Sequence, residues 1–401
     1  MAAAARRPKA RPPKAAPRKA RRTAPTSARL TLMVATKKGA FFLRSDAGRR
    51  TWKRGPAPFF GQVVNHLVLD PRDGRTLLAG VRTGHLGPTV FRSLDGGRTW
   101  AEAKHPPAFG KPEGDGAART VKAAFWLTPG HDTRPGEWWA GTVPHGLFRT
   151  RDGGVTWEEC AGFTAAWRGW SKIPGRVEDV PDGAITHSVI VDPRDPAHLY
   201  VGLSTGGFFE SLDEGATWTR LNRGVEASFL PEKNPEFGHD PHCAVLHPLA
   251  PDRLWQQNHC GLYRLDRPGE TWDRIGRNLP KPIGDVGFPI VLHPRDIATA
   301  WVVPMDGRDV WPRTSVDGRP AVYRTKDLGR TWRRQDAGFP RREAWWTVKR
   351  QALAADRGDP VGLYLGTTSG SVWASRDEGA TWREIARDLP HVLAVTVAAG
   401  M

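Results

Sequence analysis

The sequence predicts an all-β protein: a seven-bladed β-propeller of four-stranded antiparallel blades, closed by the C-terminal strand. Three observations carry this. The octapeptide Ser/Thr-x-Asp-x-Gly-x-Thr-Trp occurs five times, ending at Trp100, Trp157, Trp218, Trp332 and Trp382. Two looser copies, ending at Trp52 and Trp272, carry the Asp one place earlier, and in the first the Gly also moves. The tryptophans recur every ~48–61 residues, the period of stacked supersecondary units. Last, the apolar stretch Val392–Ala398 follows the final octapeptide with no blade of its own.

Each part of the octapeptide has a physical reason. The Asp carboxylate accepts hydrogen bonds from backbone N–H groups of its own turn. The Gly supplies a positive φ. The Thr opens the next strand and bonds back to the Asp, and the Trp buries a large flat surface between sheets. An aromatic lies two places before most copies, at Phe91, Phe148, Phe209, Tyr263, Tyr323 and Trp373. Each copy is therefore a hairpin: strand, Asp turn, strand.

In chain order, strands are predicted over 31–35 and 39–44, with a third opening at Trp52. This first blade lacks an innermost strand, and residues 392–398 supply it, which removes the exposed edges at the seam. Each later repeat begins with a strand that ends at a turn such as Asp70-Pro71, Asp192-Pro193 or His293-Pro294. A second strand follows, then a loop, the third strand, the octapeptide and the fourth strand. By strand alternation the remaining loops emerge on the face opposite the octapeptides. The long ones, 101–121, 158–186, 219–241 and 304–320, are where function is expected.

These turns resemble the Asp-box of sialidases and of other BNR-type propellers, over roughly residues 31–398. The whole chain is similar to bacterial WD40/YVTN/BNR-like repeat proteins, a group commonly labelled exo-alpha-sialidase or glycosyl hydrolase. The resemblance implies a propeller with its ligand site opposite the boxes. It does not carry over the sialidase chemistry. A sialidase needs a Tyr nucleophile and three Arg residues, whereas Tyr200, Tyr263, Tyr323 and Tyr364 all fall in repeated strand patterns. No Arg-Ile-Pro motif stands in the N-terminal blades.

Composition narrows the class. The net charge is +17, and residues 1–30 supply ten Lys or Arg and no acid. Ala, Pro, Lys and Arg without aromatics cannot bury a core, so 1–30 is expected to be a disordered basic arm. Nucleic acid would be a partner only through this arm. It has no apolar core of a signal sequence, and no stretch suits a membrane span. Three cysteines, Cys160, Cys243 and Cys260, make no disulfide framework, so a cytoplasmic monomer is expected.

The candidate site lies on the loop face. Gly238-His239-Asp240-Pro241-His242-Cys243 and Gln256-Gln257-Asn258-His259-Cys260 fall on adjacent strands of one blade. Asp240, His242 and His259 are the catalytic candidates. His239, His242 and His259 are candidate ligands for a divalent metal such as zinc. Lys37, His85, Arg119, His145, His187, Lys349 and Arg350 are expected to line a central pocket suited to a negatively charged or sugar-like ligand. Phe163, Trp167 and Trp170 can stack on a sugar, and Glu178, Asp179, Asp182, Asp240, Asp285 and Glu343 are carboxylates a glycosidase could use. The first expectation is a propeller that binds such a small ligand. The alternative is a glycoside hydrolase or lyase, and a third reading is a protein-interaction scaffold.

Overall fold

The computed structural model describes residues 29–85, 87–111, 118–170, 184–307 and 313–400. The expected arm, up to residue 28, lies outside them, as do Glu178, Asp179 and Asp182. Seven antiparallel sheets surround one axis. The inner strands are Val63–Leu69, Ala123–Pro129, Thr186–Val191, Pro241–His247, Gly287–Leu292, Leu353–Ala355 and, in the first blade, Val392–Ala399. That last strand pairs antiparallel with Leu30–Thr36, from Leu30↔Ala399 to Thr36↔Val392, so the two ends of the chain share a blade as expected. Six blades have four strands. In the fifth, the fourth strand shrinks to a single bridge, Arg264↔Asp273. This is a looser octapeptide copy, and its Pro268 has no N–H to donate to a ladder.

The octapeptide turns do what their residues dictate. In the five full copies the Thr hydroxyl donates to the Asp carboxylate at 2.5–2.6 Å. The Thr backbone N–H donates to the same carboxylate at 2.8–3.0 Å. The Gly φ lies at 85–93°, where a side chain is strained. The turns lock the outer hairpins, and the tryptophans pack between blades: Trp157, Trp272 and Trp382 are buried. All four tyrosines are buried core residues, as the sequence predicts.

The inner strands carry a feature that the repeat does not announce. In five consecutive blades the register slips at the same level: Val64/His66, Ala124/Trp126, His187/Ile190, Pro241/Cys243 and Gly287/Ile290. A bulge inserts a residue and re-aims its side chain. The residues inserted here include Phe125, His242 and Phe288. One predicted loop is not a loop throughout: Ala161–Trp170 is an α-helix. Phe163 and Trp167 are buried on its inner face, and Trp170 stacks on Phe209 at 3.9 Å between ring centres. These aromatics hold the helix onto its blade, so they pack on the protein itself rather than offering a platform to a sugar.

Ring closure by the last strand makes a direct prediction. A chain ending at residue 391 should lose its cooperative thermal transition, because residues 30–36 and 63–69 then flank an empty inner position. A truncated chain that melts within a few degrees of the full one would show the strand to be dispensable.

Candidate functional site

The site forms where the fifth blade meets the sixth. The Asp240 backbone carbonyl accepts the His259 N–H at 2.9 Å, which fixes the two residues side by side across the inner hairpin. The turn beyond Asn258 is tight: the Asn258 carboxamide oxygen accepts the Cys260 N–H at 3.0 Å, and Gly261 has φ 139°. The bulge at Pro241/Cys243 turns His242 toward the sixth blade, where its Nδ1–H donates to the Gly287 carbonyl at 2.6 Å. Nε2 lies 3.4 Å from Asp240 Oδ2. His259 Nδ1 lies 3.5 Å from the same oxygen. His242 is fully buried, and the Asp240 and His259 side chains are 14% and 19% exposed, so the cluster opens to solvent through these two.

Cations and aromatics wall the mouth. Arg313 Nη2 donates to His259 Nδ1 at 2.9 Å, and its guanidinium lies 5.6 Å from the Phe288 ring. Lys349 Nζ lies 5.3 Å from the same ring. Arg350 comes from the seventh blade, reaches the axis between Phe125 and Phe288, and donates to Ser204 Oγ of the fourth blade at 3.2 Å. Phe229 packs edge-on against His259, with ring centres 5.1 Å apart. Burial alone would raise the Asp240 carboxyl. The imidazoles of His242 and His259 beside it, with the Arg350 charge, outweigh that and hold it well below the usual range. Burial lowers His242, against the opposing pull of Asp240.

The structure therefore gathers Asp240, His242, His259, Lys349 and Arg350, and disperses the other candidates. His239 leaves the expected metal set, because its Nε2–H donates to the Pro235 carbonyl and Asp240 takes its place in the cluster. His187 is fully buried with both ring nitrogens engaged, one with Ser188 Oγ and one with the Pro241 carbonyl, each at 2.8 Å. It latches two blades together. Arg119 donates to the His145 carbonyl, and the His145 ring packs on Trp167, away from the cluster in the third blade. Lys37 and His85 are exposed at the tips of separate loops. Asp285 is tied to Arg274 by two bonds of 2.9 Å, and Glu343 is exposed. Sequence reasoning missed Phe229, Phe288 and Arg313. One signal was available: Gly80, Gly141, Gly202 and Gly366 mark the second strands of four blades, and Gln257 stands at that place in the fifth.

The two faces of the ring differ. The three exposed aromatics among the described residues, Phe60, Phe229 and Trp345, all lie on loops of the face that holds the cluster. The exposed aliphatics Leu94, Leu212, Leu249 and Ile297 lie on the turns of the other face. A cavity of about 410 Å³ opens on that second face, lined by His66, Trp126, Val189 and Val245.

No family model matches the chain. It is 25% identical over 214 residues to the xyloglucanase Xgh74A of Acetivibrio thermocellus, a match covering 48% of this chain and 23% of that protein. It is 26% identical over 273 residues to a xyloglucanase of Paenibacillus sp, covering 59% and 23%. The GH74 xyloglucanase structure from Xanthomonas campestris superposes with a TM-score of 0.63 at 20% identity, covering 91% of this chain and 53% of that one. A GH74 enzyme of Niastella koreensis gives 0.59 at 17%, covering 88% and 51%. The chain thus spans about a quarter of the curated relatives it matches and about half of these structures. The likeness to solved structures fixes the fold. The curated relatives overturn the order of the functional expectations: they are glycoside hydrolases, so the enzyme alternative displaces the propeller that only binds a small ligand.

The buried histidines set a pH limit on stability. Burial pushes His66 down to about 3 and His239 down to about 4, from an ordinary 6.5. Between 6.5 and those values the unfolded chain takes up protons that the folded one refuses, so stability is full above this window and falls as the pH drops through it. The melting temperature should decline steadily from pH ~6.5 to ~4, with a shallower slope in His66→Gln. A flat profile over that range would contradict the buried, neutral state of these rings.

Proposed function

We propose that this propeller is a glycoside hydrolase acting on a β-glucan of the xyloglucan type, with its working site on the face that holds Asp240. We also read its seven octapeptide turns as those of the Asp-box, BNR-like repeat group. The observation that carries the enzymatic reading is the position of Asp240. An ionised carboxylate lies beside two imidazoles in the mouth of the face that, among the described residues, presents the exposed aromatic rings. Flat apolar rings with polar surroundings suit the faces of pyranose rings. Carboxylate and imidazole supply the proton transfers that cleavage of a glycosidic bond requires. The xyloglucanase names of the curated relatives support the substrate class.

In this reading the sugar chain lies across the loops of Phe60, Phe229 and Trp345 and brings a glycosidic oxygen over the cluster. His259, partly exposed and bonded to Arg313, stands on the solvent side of the cluster. Lys349 and Arg350 sit beside Phe288 and make the mouth positive, and the imidazoles of His242 and His259 together with Arg350 hold Asp240 ionised. The test is release of reducing ends from xyloglucan and from unbranched β-glucans. Asp240→Asn should lower kcat by about 10²–10⁴-fold. Trp345→Ala should raise KM and leave kcat near wild type, since it removes binding remote from the reacting bond. Full activity in Asp240→Asn would remove Asp240 from the chemistry, and failure to cleave any of these glucans would overturn the assignment.

A further inference from the structure

We infer that Asp240, His242 and His259 form a three-ligand site for a divalent transition metal. One donor atom from each lies within 4.8 Å of the others. A metal bound at ~2.1 Å by tetrahedrally arranged ligands places its donors about 3.4 Å apart. The His242 Nε2–Asp240 Oδ2 and His259 Nδ1–Asp240 Oδ2 separations, 3.4 and 3.5 Å, match two edges of that figure.

The second, independent observation is the state of His242. Its Nε2 is buried and has no hydrogen-bond partner, while Nδ1–H donates to the Gly287 carbonyl. A metal-bound imidazole is typically held this way, with its far N–H fixed by a carbonyl and its lone pair directed at the ion. Histidine at the corresponding place in the neighbouring blade shows the contrast, because both nitrogens of His187 are bonded to protein. Two imidazoles and one carboxylate suit zinc, iron, cobalt or manganese, and leave a position for water.

Arg313 regulates the site. Its Nη2 donates to His259 Nδ1 at 2.9 Å, so it must move off that nitrogen when the cation takes it, and its charge opposes the ion. A metal-bound water is more acidic than free water and can attack or protonate at neutral pH. That such a water acts on a sugar rests on the proposed function, whereas the site itself rests on the geometry.

The experiment uses the full chain, stripped with a chelator and titrated with Co²⁺ and then Zn²⁺. Wild type should bind one equivalent of Co²⁺, with visible d–d bands that Zn²⁺ abolishes. Asp240→Asn and His259→Ala should each weaken binding about a hundredfold or more. Arg313→Gln should tighten it. His242 is left intact because it latches two blades, and circular dichroism confirms that each variant is folded. Absence of saturable 1:1 binding to folded wild type, or undiminished binding in folded Asp240→Asn and His259→Ala, overturns the site. Metal binding without glucan cleavage keeps the site and removes the reaction. Cleavage by metal-free protein keeps the reaction and removes the metal-bound water from it.

Discussion

Seven sheets can surround one axis only if their backbones approach closely at the centre. The second strands show the constraint. A Cβ at Gly80 would lie 2.3 Å from the Ala124 carbonyl oxygen, and one at Gly141 the same distance from that of Thr186. No larger residue fits while the next inner strand holds its place. The seam of the ring obeys the same rule: Gly366 faces Val392 of the closing strand, with an added Cβ 2.4 Å from its side chain. Closure by the C-terminal strand and these glycines together set the bore of the ring.

The site arises where this rule relaxes. The fifth blade has Gln257 in place of the glycine, and its carboxamide donates to the Asp285 carbonyl at 2.8 Å, lining the gap with a polar side chain. The bulges at that level turn His242 and Phe288 into the space, and Asp240 and His259 close over it. Energetically the cluster is costly. A buried carboxylate and a buried imidazole nitrogen without a partner both lose solvation. A fold that retains such a group beside Arg313, Lys349 and Arg350 holds a strong local field, the condition under which acid–base or metal chemistry becomes effective.

Much of the fold was legible in the sequence because it repeats. Five turns with a fixed Asp, Gly, Thr and Trp and two looser copies announce seven hairpins, and the orphan strand 392–398 announces the closure. Part of the site was legible as well, since Asp240, His242 and His259 sit at the paired ends of two strands whose pairing the repeat predicts. What was not legible came from outside the repeat. The helix Ala161–Trp170 hides in a segment that reads as loop. The bulges depend on how neighbouring blades press together, which no single strand encodes. His187 and His242 look equivalent in sequence and both tie neighbouring blades together, and only the structure shows that His187 is bonded at both ring nitrogens and His242 at Nδ1 alone. Arg313 and Phe229 reach the cluster from loops whose course the sequence does not specify.

The central claim is that the face bearing Asp240 is the working face and that it takes a sugar chain. Hydrogen exchange by mass spectrometry on Asp240→Asn protein, with and without a xyloglucan oligosaccharide, tests it directly. The account predicts slowed exchange in three segments, around residues 226–242, 258–261 and 343–350, with the octapeptide turns unchanged. Slowing confined to the turn face, or none at saturating oligosaccharide, would contradict it.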